Sequence, residues 1–514
     1  MEVLEIIKSL RPAEEAPTNR TDGDNGNARF TVAIIGAGFA GATLAAQLLR
    51  RAGASFSVVL IERRAFPGRG VAYGTQFDGH LLNVRAQSMS AYPETPDHFL
   101  RWAQKNYDCS VKAGDFLPRR VYGQYVLSLL HEERKLHPGQ FQCIQDEAVS
   151  VARLGRTTEI RLRNGRTIFA DKVVLALGNF PPANPHLPGK TPASVRYVSN
   201  PWLPSTSIDP AKYADKGDRE KSVLLVGSGL TAVDVAIELR ARGFEGTIHT
   251  LSRRGLLPQT HQAFVPVPLS WNKNFPRTTR GLLRLIRAEI HAATVQGGNW
   301  RAVIDSLRPV TQEIWRSLPR PEQQRFLRHV RPYWEVHRHR VAPSIGAQLA
   351  SQLLSGQIQI HAGRITAYRE DSDGVTVSYR DRKSGKLVQL LVDRVINCTG
   401  PDADLRRVDS LLLSNLISQK LACPDSLFLG LAVSENGALI DSTGTPSRFL
   451  YTVGSLRKGS LWETTAVPEI RAQVSELATL LSAEYVSKNL EPEKRESRQL
   501  EPVAAHQSSV EQVS

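Results

Sequence analysis

Two short glycine-rich turns constrain this chain more than any other feature. The first comes after the apolar run Phe30–Ile35 (FTVAII) and reads Gly36-Ala37-Gly38-Phe39-Ala40-Gly41. The second comes after Ser222–Val226 (SVLLV) and reads Gly227-Ser228-Gly229-Leu230-Thr231-Ala232. A short β-branched run of this kind predicts a buried strand. Past each turn the chain is rich in helix formers, over Ala40–Arg50 and Thr231–Arg240. A further strand then closes each unit, Ser57–Ile61 ending at Glu62 and Thr247–Leu251 running into Ser252-Arg253-Arg254. The same strand–turn–helix–strand grammar therefore occurs twice, roughly 190 residues apart. The fold class expected is α/β, with two Rossmann-like dinucleotide-binding domains.

Glycine is needed at these positions for separate reasons. Gly36 allows the tight turn, Gly38 lets backbone approach a pyrophosphate, and Gly41 lets helix pack on strand. The phosphates would sit on unpaired N–H groups at the helix N-terminus. Glu62 is placed to accept hydrogen bonds from ribose hydroxyls. In the second turn Gly227 and Gly229 repeat the first two roles, and Ala232 takes the third. No acid closes that unit. Arg253 and Arg254 stand where a ribose edge should lie, and a guanidinium grips phosphate with forked donors. This favours NADPH over NADH, the other reading being a solvated basic pair. Two dinucleotide folds in one chain point to electron transfer between FAD and a nicotinamide. Phosphate geometry alone does not say which turn holds which.

Between and after these units the chain predicts helices near Pro96–Asn106 and Arg120–Arg134. It predicts strands near Ala148–Leu154, Thr158–Leu162 and Lys172–Leu177, and again from Ile358 to Asn397. Residues 271–340 show no strand pattern and hold one Lys and 13 Arg against five acids. That segment alone supplies +9 of the chain's net +15. A single-sign field of this kind steers anions. No nucleic-acid module accompanies it, so a small, anionic molecule is the expected partner rather than nucleic acid. His329, His337 and His339 cluster there without the carboxylates of a first metal shell, and no metal is expected. The four cysteines include no CxxC, which leaves neither a dithiol relay nor a structural zinc site. No apolar run approaches the ~20 residues of a membrane span. The start, with Glu2 and Glu5, does not read as a signal peptide, so a cytoplasmic setting is expected.

Several stretches carry a resemblance beyond the two turns: Pro67–Gly74 (PGRGVAYG), His80–Met89 (HLLNVRAQSM), Arg331–Pro343 (RPYWEVHRHRVAP) and Tyr451–Arg471 (YTVGSLRKGSLWETTAVPEIR). With them the chain resembles the two-dinucleotide-binding-domain flavoproteins, a group of flavin monooxygenases and pyridine-nucleotide reductases. More narrowly it is similar to a bacterial branch of FAD/NAD(P)-binding proteins. The resemblance implies that Gly36, Gly38, Gly41 and Glu62 hold FAD and that Gly227, Gly229 and Ala232 hold NAD(P)H. It also matches Gly454 and Ser455 to a late Gly-Asp motif at the flavin's ribitol and pyrophosphate, with Ser455 departing from the Asp. Asn397-Cys398-Thr399-Gly400 matches the turn where the chain crosses back to the FAD domain.

The implied division is a flexible extension at 1–28 and a first part of the FAD-binding domain at 29–190. An NAD(P)-binding domain follows at 191–395, carrying the basic helical insertion 271–340. The second FAD part is 396–484, and 485–514 is a flexible tail. Arg69, Asn83 and Gln87 are candidates for the flavin's polar edge, beside Tyr73 and Arg85. Thr465, with Trp462 and Glu463, would lie where a helix N-terminus faces the ring and stabilises negative charge. Tyr333 and Trp334 read better as packing than as cavity lining.

The expected activity is an FAD-dependent, NAD(P)H-linked oxidoreductase, monooxygenase-like, on a small polar or anionic substrate. The alternative is a flavin reductase or dehydrogenase that passes electrons to a quinone or a redox partner protein. The missing cysteine pair argues against disulfide reduction. A linker motif typical of one monooxygenase class is only echoed at Leu187-Pro188-Gly189 and Trp202. No catalytic acid or base is identifiable from the residues.

Overall fold

The computed structural model describes residues 29–496 apart from 52, 54, 66, 186–194, 204–220 and 268–274. The expected extension at 1–28, the linker residues Leu187-Pro188-Gly189 and everything from 497 onward lie outside the described residues. The first unit begins with β1 (Phe30–Ile35), α1 (Phe39–Arg51) and β2 (Phe56–Glu62). It continues through α2 (His98–Asn106), α3 (Arg119–Leu136) and β3 (Phe141–Gln145). A three-stranded antiparallel sheet comes next, made of β4 (Ala148–Leu154), β5 (Thr157–Leu162) and β6 (Thr167–Ala170). Then comes β7 (Lys172–Leu175).

The second unit contains β8 (Tyr197–Val198), β9 (Ser222–Val226), α4 (Leu230–Ala241) and β10 (Thr247–Ser252). The basic segment is helical, as its lack of strand pattern predicts. It holds α5 (Thr279–Val295), α6 (Trp300–Ser306), α7 (Thr311–Ser317), α8 (Arg320–Arg325) and α9 (Arg331–Arg338). After α10 (Pro343–Leu354) come β11 (Ile358–Glu370), β12 (Val375–Asp381), β13 (Leu387–Val392) and β14 (Arg394–Asn397). The chain ends with α11 (Leu411–Ser418), β15 (Ala438–Ile440), β16 (Pro446–Thr452), the short α12 (Lys458–Leu461) and α13 (Val467–Glu496).

Two large sheets organise these elements. One runs β15-β16-β7-β1-β2-β3, parallel except for the β15–β16 edge pair. The strands β15 and β16 come from the far end of the chain, so this unit is discontinuous in sequence. The other sheet runs β13-β12-β11-β10-β9-β14-β8, with a parallel core and an antiparallel extension at β11–β13. Parallel strands covered on both faces read as continuous apolar runs, and β1, β2 and β9 do so.

The core of the first unit lies between its sheet and helices α1, α3 and α13. Leu44, Leu48, Phe56, Tyr122, Tyr125, Val474 and Leu481 meet there, fully or almost fully buried. Helix α13 continues to Glu496, twelve residues past the boundary expected at 484. No helix among the described residues is long and apolar enough to cross a membrane.

One buried carboxyl works against this core. Burial pushes Glu133 of α3 up to about 7, with Arg50 partly opposing it from 3.4 Å. The folded protein then binds more protons than the unfolded chain from the ordinary carboxylate range up to about 7, so stability falls across that window as pH rises. Glu133→Gln should therefore leave the melting temperature unchanged at pH 4 and raise it at pH 8. Equal shifts at both pH values would show that the carboxyl is not perturbed.

Candidate functional site

Each glycine-rich turn is made by one repeated contact. Gly36 has φ +100°, and a Cβ there would lie 2.4 Å from the Ala176 carbonyl oxygen, just past β7. Gly227 has φ +112°, and its Cβ would lie 2.4 Å from the Cys398 carbonyl oxygen, just past β14. The hydrogen bonds repeat as well. Gly36 N–H donates to Ile61 O and Ala176 N–H to Ile35 O, both at 2.8 Å. Gly227 N–H donates to Leu251 O and Cys398 N–H to Val226 O, again at 2.8 Å. In both units the turn leaves the strand over the end of its neighbour, and only glycine allows the backbones so close.

Three backbone segments converge on the N-terminus of α1. Gly38 faces Gly70 of the Pro67–Gly74 loop, and a Cβ on Gly70 would come within 3.2 Å of the Gly38 Cα. Gly68 N–H donates to Ala37 O at 2.6 Å, tying that loop to the turn. Gly454, at φ +81°, lies beside Ala40 of the same helix turn, its Cβ position 4.0 Å from the Ala40 Cβ. Gly41 has no such freedom, because a Cβ there would meet Gly36 O at 1.9 Å. Helix α1 carries no acid in its first turn and Arg50 and Arg51 in its last, so its positive end is left for a ligand. A cradle of close glycine backbone at a helix N-terminus suits a pyrophosphate, and these residues fit FAD.

Glu62 ends β2 and is nearly buried. Its carboxylate accepts from Ala37 N–H at 2.7 Å and from Arg64 N–H at 2.9 Å. It therefore braces the turn itself, while each oxygen keeps a second lone pair for a ribose hydroxyl. Ser455 donates to the Gly178 carbonyl, closing the gap between the ends of β7 and β16. That bond uses the hydroxyl that the resemblance sets in place of an Asp.

The candidates for the flavin's polar edge are spread along the Leu82–Gln87 segment and its surroundings. Arg69 is partly buried, and its guanidinium is held below its ordinary value by that burial. The Asn83 carbonyl accepts from His261 of the second unit at 3.0 Å. Gln87 lies in a single 3-10 turn, Ala86–Ser88, with an exposed side chain and its N–H on Ala113 O. Thr465 is exposed, and α13 starts at Val467, slightly later than the Glu463–Thr465 start expected. The difference arises at Trp462. This residue has φ 59° and ψ −69°, and Glu463 N–H donates to Leu461 O across it at 2.7 Å. That is a γ-turn of the strained hand, which delays the helix. Its cost, roughly 1–3 kcal/mol for such a backbone, is offset by aromatic packing. Trp315 and Phe326 from the basic segment both lie 5.1 Å from the Trp462 ring.

A buried polar network sits behind this turn, and most of it is invisible in the sequence pattern. Thr464 donates to Gly454 O at 2.9 Å, Gln473 Nε2 donates to Thr464 Oγ1 at 2.7 Å, and Gly454 N–H donates to Gln473 Oε1 at 2.9 Å. Gly454 is thus gripped on both its backbone groups. Glu463 accepts from Trp334 Nε1 at 2.9 Å and lies 3.8 Å from Arg338. Burial would raise the Glu463 carboxyl, but His339, Arg338, the Trp334 N–H and Arg308 outweigh it and hold it low. Arg308 clamps Glu469 of α13 with bonds of 2.7 and 2.9 Å. Nearby, burial and then Arg331 bring Lys458 down to about 8. No local motif marks Thr464, Gln473 or Lys458, whose partners are distant or on other elements.

In the second turn Gly229 caps α4 at φ −84°, with open space around its Cβ position, and Ala232 is buried against the sheet. Ser228 Oγ donates to Leu256 O at 2.6 Å and accepts from the Ser252 hydroxyl at 2.8 Å, fixing the end of β10. Arg253 is exposed at that end. Arg254 turns away from it, with its guanidinium 4.9 Å from the Tyr333 ring and a bond to Arg328 O at 3.3 Å. Tyr333 therefore joins the second unit to the basic segment, while Trp334 serves Glu463. Helix α4 is in turn pinned to the first unit. Arg119 meets Asp234 at 2.7 and 3.1 Å, and buried His80 meets the Asp234 carbonyl at 3.2 Å and Glu238 at 3.5 Å. No group of three or more His, Cys, Asp or Glu among the described residues could hold a metal.

Open space around Gly229 makes it a clean probe. Gly229→Ala should leave folding and FAD content unchanged and weaken NADP⁺ binding by about tenfold, ~1.4 kcal/mol, read by titration of the purified protein. Unaltered NADP⁺ affinity would remove the second turn from the dinucleotide site.

Comparison with known proteins bears on the fold. Residues 33–180 match a family model described as FAD-NAD(P)-binding. No curated protein matches the chain. Among solved structures, L-lysine 6-monooxygenase from Pseudomonas syringae is 17% identical, with a TM-score of 0.60 over 88% of this chain and 99% of that one. The cadaverine monooxygenase of desferrioxamine biosynthesis from Erwinia amylovora, bound to FAD, is 13% identical, with a TM-score of 0.59 over 88% of this chain and 95% of that one. The bacillithiol disulfide reductase of Staphylococcus aureus is 14% identical, with a TM-score of 0.52 over 89% of this chain and 99% of that one. The chain has the two-dinucleotide-domain fold of the FAD/NAD(P)-binding flavoproteins, and its first unit carries that family's sequence signature.

Proposed function

We propose that the protein is an FAD-dependent, NAD(P)H-linked oxidoreductase, monooxygenase-like, acting on a small polar or anionic molecule in the cytoplasm. The observation that carries this reading is the pair of equivalent glycine turns in one chain, pinned together through α4. Held there, FAD would supply hydride acceptance from NAD(P)H and electron delivery to oxygen or another acceptor. The protein's own part is positioning. Backbone at Gly38, Gly70 and Gly454 would take the FAD pyrophosphate and Glu62 its ribose. Gly227, Gly229 and Ala232 would admit the nicotinamide dinucleotide. The Asn83–Gln87 segment, Arg69 and the Thr465 end of α13 would face the ring edge.

The cysteines weigh against disulfide reduction. All four are free, and burial pushes Cys143 up to about 12 and Cys398 higher still. A thiol held protonated is a poor nucleophile. Amine monooxygenases among the similar folds make small amines the first substrates to assay. The second reading is a reductase or dehydrogenase passing electrons to a quinone or protein.

Purified protein should be yellow, and NADPH should bleach it. Substrate-dependent oxygen consumption with oxygen incorporated into product supports monooxygenation. Rapid NADPH oxidation that releases only hydrogen peroxide, or that needs a quinone, favours the second reading. Protein that takes up no FAD sinks both. For the nicotinamide, Arg253→Ala should reduce NADPH affinity about 10- to 100-fold, ~1.5–3 kcal/mol for a charged hydrogen bond, and spare NADH. Arg254→Ala should do less, since its guanidinium already lies over Tyr333. Equal losses for both cofactors would refute a 2′-phosphate contact.

A further inference from the structure

The stretch His337-Arg338-His339-Arg340 divides between two environments. Arg338 joins Glu463 and Glu469 behind the flavin-facing turn. Arg340 comes just after α9 and lies against the loop after β10, where Val341 N–H donates to Gln259 O and His261 N–H donates to Val341 O. It is 1% exposed, the largest fully buried side chain described. Its Nη2 donates to Asp305. Among the described residues its Nε and Nη1, both buried, have no acceptor. A buried cationic donor without a partner is costly and rare, and calls for a ligand, an ion or a water.

The surroundings narrow the choice. The Phe264 and Trp300 ring centroids lie 6.0 and 5.9 Å from the Arg340 guanidinium carbon, so two walls are aromatic. His261 stands alongside with its ring on the Asn83 carbonyl at 3.0 Å, linking Arg340 to the segment assigned to the flavin's polar edge. Burial, and then Arg340, hold His261 down to about 4, so it is neutral near pH 7 and adds no charge. Arg301 donates both Nε and Nη2 to Thr260 O, and Arg85 acts on the same histidine. Arg340, Arg301 and Arg85 outnumber the one acid, Asp305, so the set keeps a surplus of positive charge and attracts an anion.

We propose that Arg340 anchors a carboxylate of the substrate at the junction of the basic helical segment, the His261 loop and the Asn83 segment. The proposal deepens the oxidoreductase reading and rests on it for the identity of the ligand as substrate. The carboxylate would accept from one of the open nitrogens, between the rings of Phe264 and Trp300, since Nε and Nη1 lie on different edges of the guanidinium and one carboxylate does not bridge them.

The test uses the full chain loaded with FAD. Benzoate and butyrate are titrated against benzamide and butyramide, by flavin difference spectra and calorimetry. Acids should bind at least tenfold tighter than their amides, and Arg340→Gln should abolish that preference. Asp305→Asn should tighten acid binding severalfold and leave the amides unchanged, because it removes the competing carboxylate. A merely structural ion pair predicts no such gain, and this variant decides the question if Arg340→Gln fails to fold. Equal acid and amide affinities, no acid binding at tens of millimolar, or weaker or unchanged acid binding in Asp305→Asn would each overturn the proposal. Binding of 2′,5′-ADP should be the same in Arg340→Gln, and a loss there would assign Arg340 to the cofactor and overturn it too. Flavin reduction by NADPH, measured without added acid, reports on the oxidoreductase reading separately.

Discussion

A glycine pressed against a carbonyl is the contact on which both halves of this protein depend. At Gly36 over Ala176 and at Gly227 over Cys398 the chain turns directly above the end of a neighbouring parallel strand. With a side chain at either position, turn and strand end would have to move apart. The helix beyond the turn would then no longer begin where its N–H groups can face a dinucleotide. Everything downstream of the turn, including the Gly38–Gly70 approach and the bracing by Glu62, assumes that geometry.

The units so formed are joined by polar contacts at α4. That helix presents Asp234 and Glu238 to Arg119 and His80, directly after the second glycine turn. The element that would receive the nicotinamide dinucleotide is thus also the element anchored to the FAD unit. On the other side the basic segment meets the returning chain through Trp315, Phe326 and Trp334 at Trp462 and Glu463, and through Arg308 at Glu469. Much of its charge is already matched there. Arg308 and Arg338 pair with Glu469 and Glu463, which lie outside the segment, so the +9 counted along the sequence overstates the field left for ligands. Arg340 pairs with Asp305 in the same way, but two of its donors remain open among the described residues.

Legibility followed the range of the interactions. The glycine turns, their strands and helices and the strand-free basic segment rest on patterns within a few residues, and they could be read directly. The start of α13 could not, since the γ-turn at Trp462 is stabilised by aromatic rings more than a hundred residues away. Thr464 and Gln473 likewise look like ordinary helix-end residues until Gly454 is brought between them. Arg254 shows the opposite case: its place after β10 is local, but Tyr333, distant in sequence, decides where its guanidinium goes.

Fold class, the two dinucleotide turns and the place of the basic segment were all written in the order of the residues. Backbone conformation and apolar periodicity are local, and glycine at a fixed spacing after a buried strand has few other uses. Packing alone settled which charges are spent on one another and which are left for a ligand. Of the thirteen arginines between residues 271 and 340, their order along the chain gives no reason to single one out. Burial beside Phe264 and Trp300, with Asp305 on one nitrogen and no protein acceptor described for two others, does so for Arg340. Desolvation and hydrogen-bond completeness are properties of a packed environment, not of a residue's neighbours along the chain.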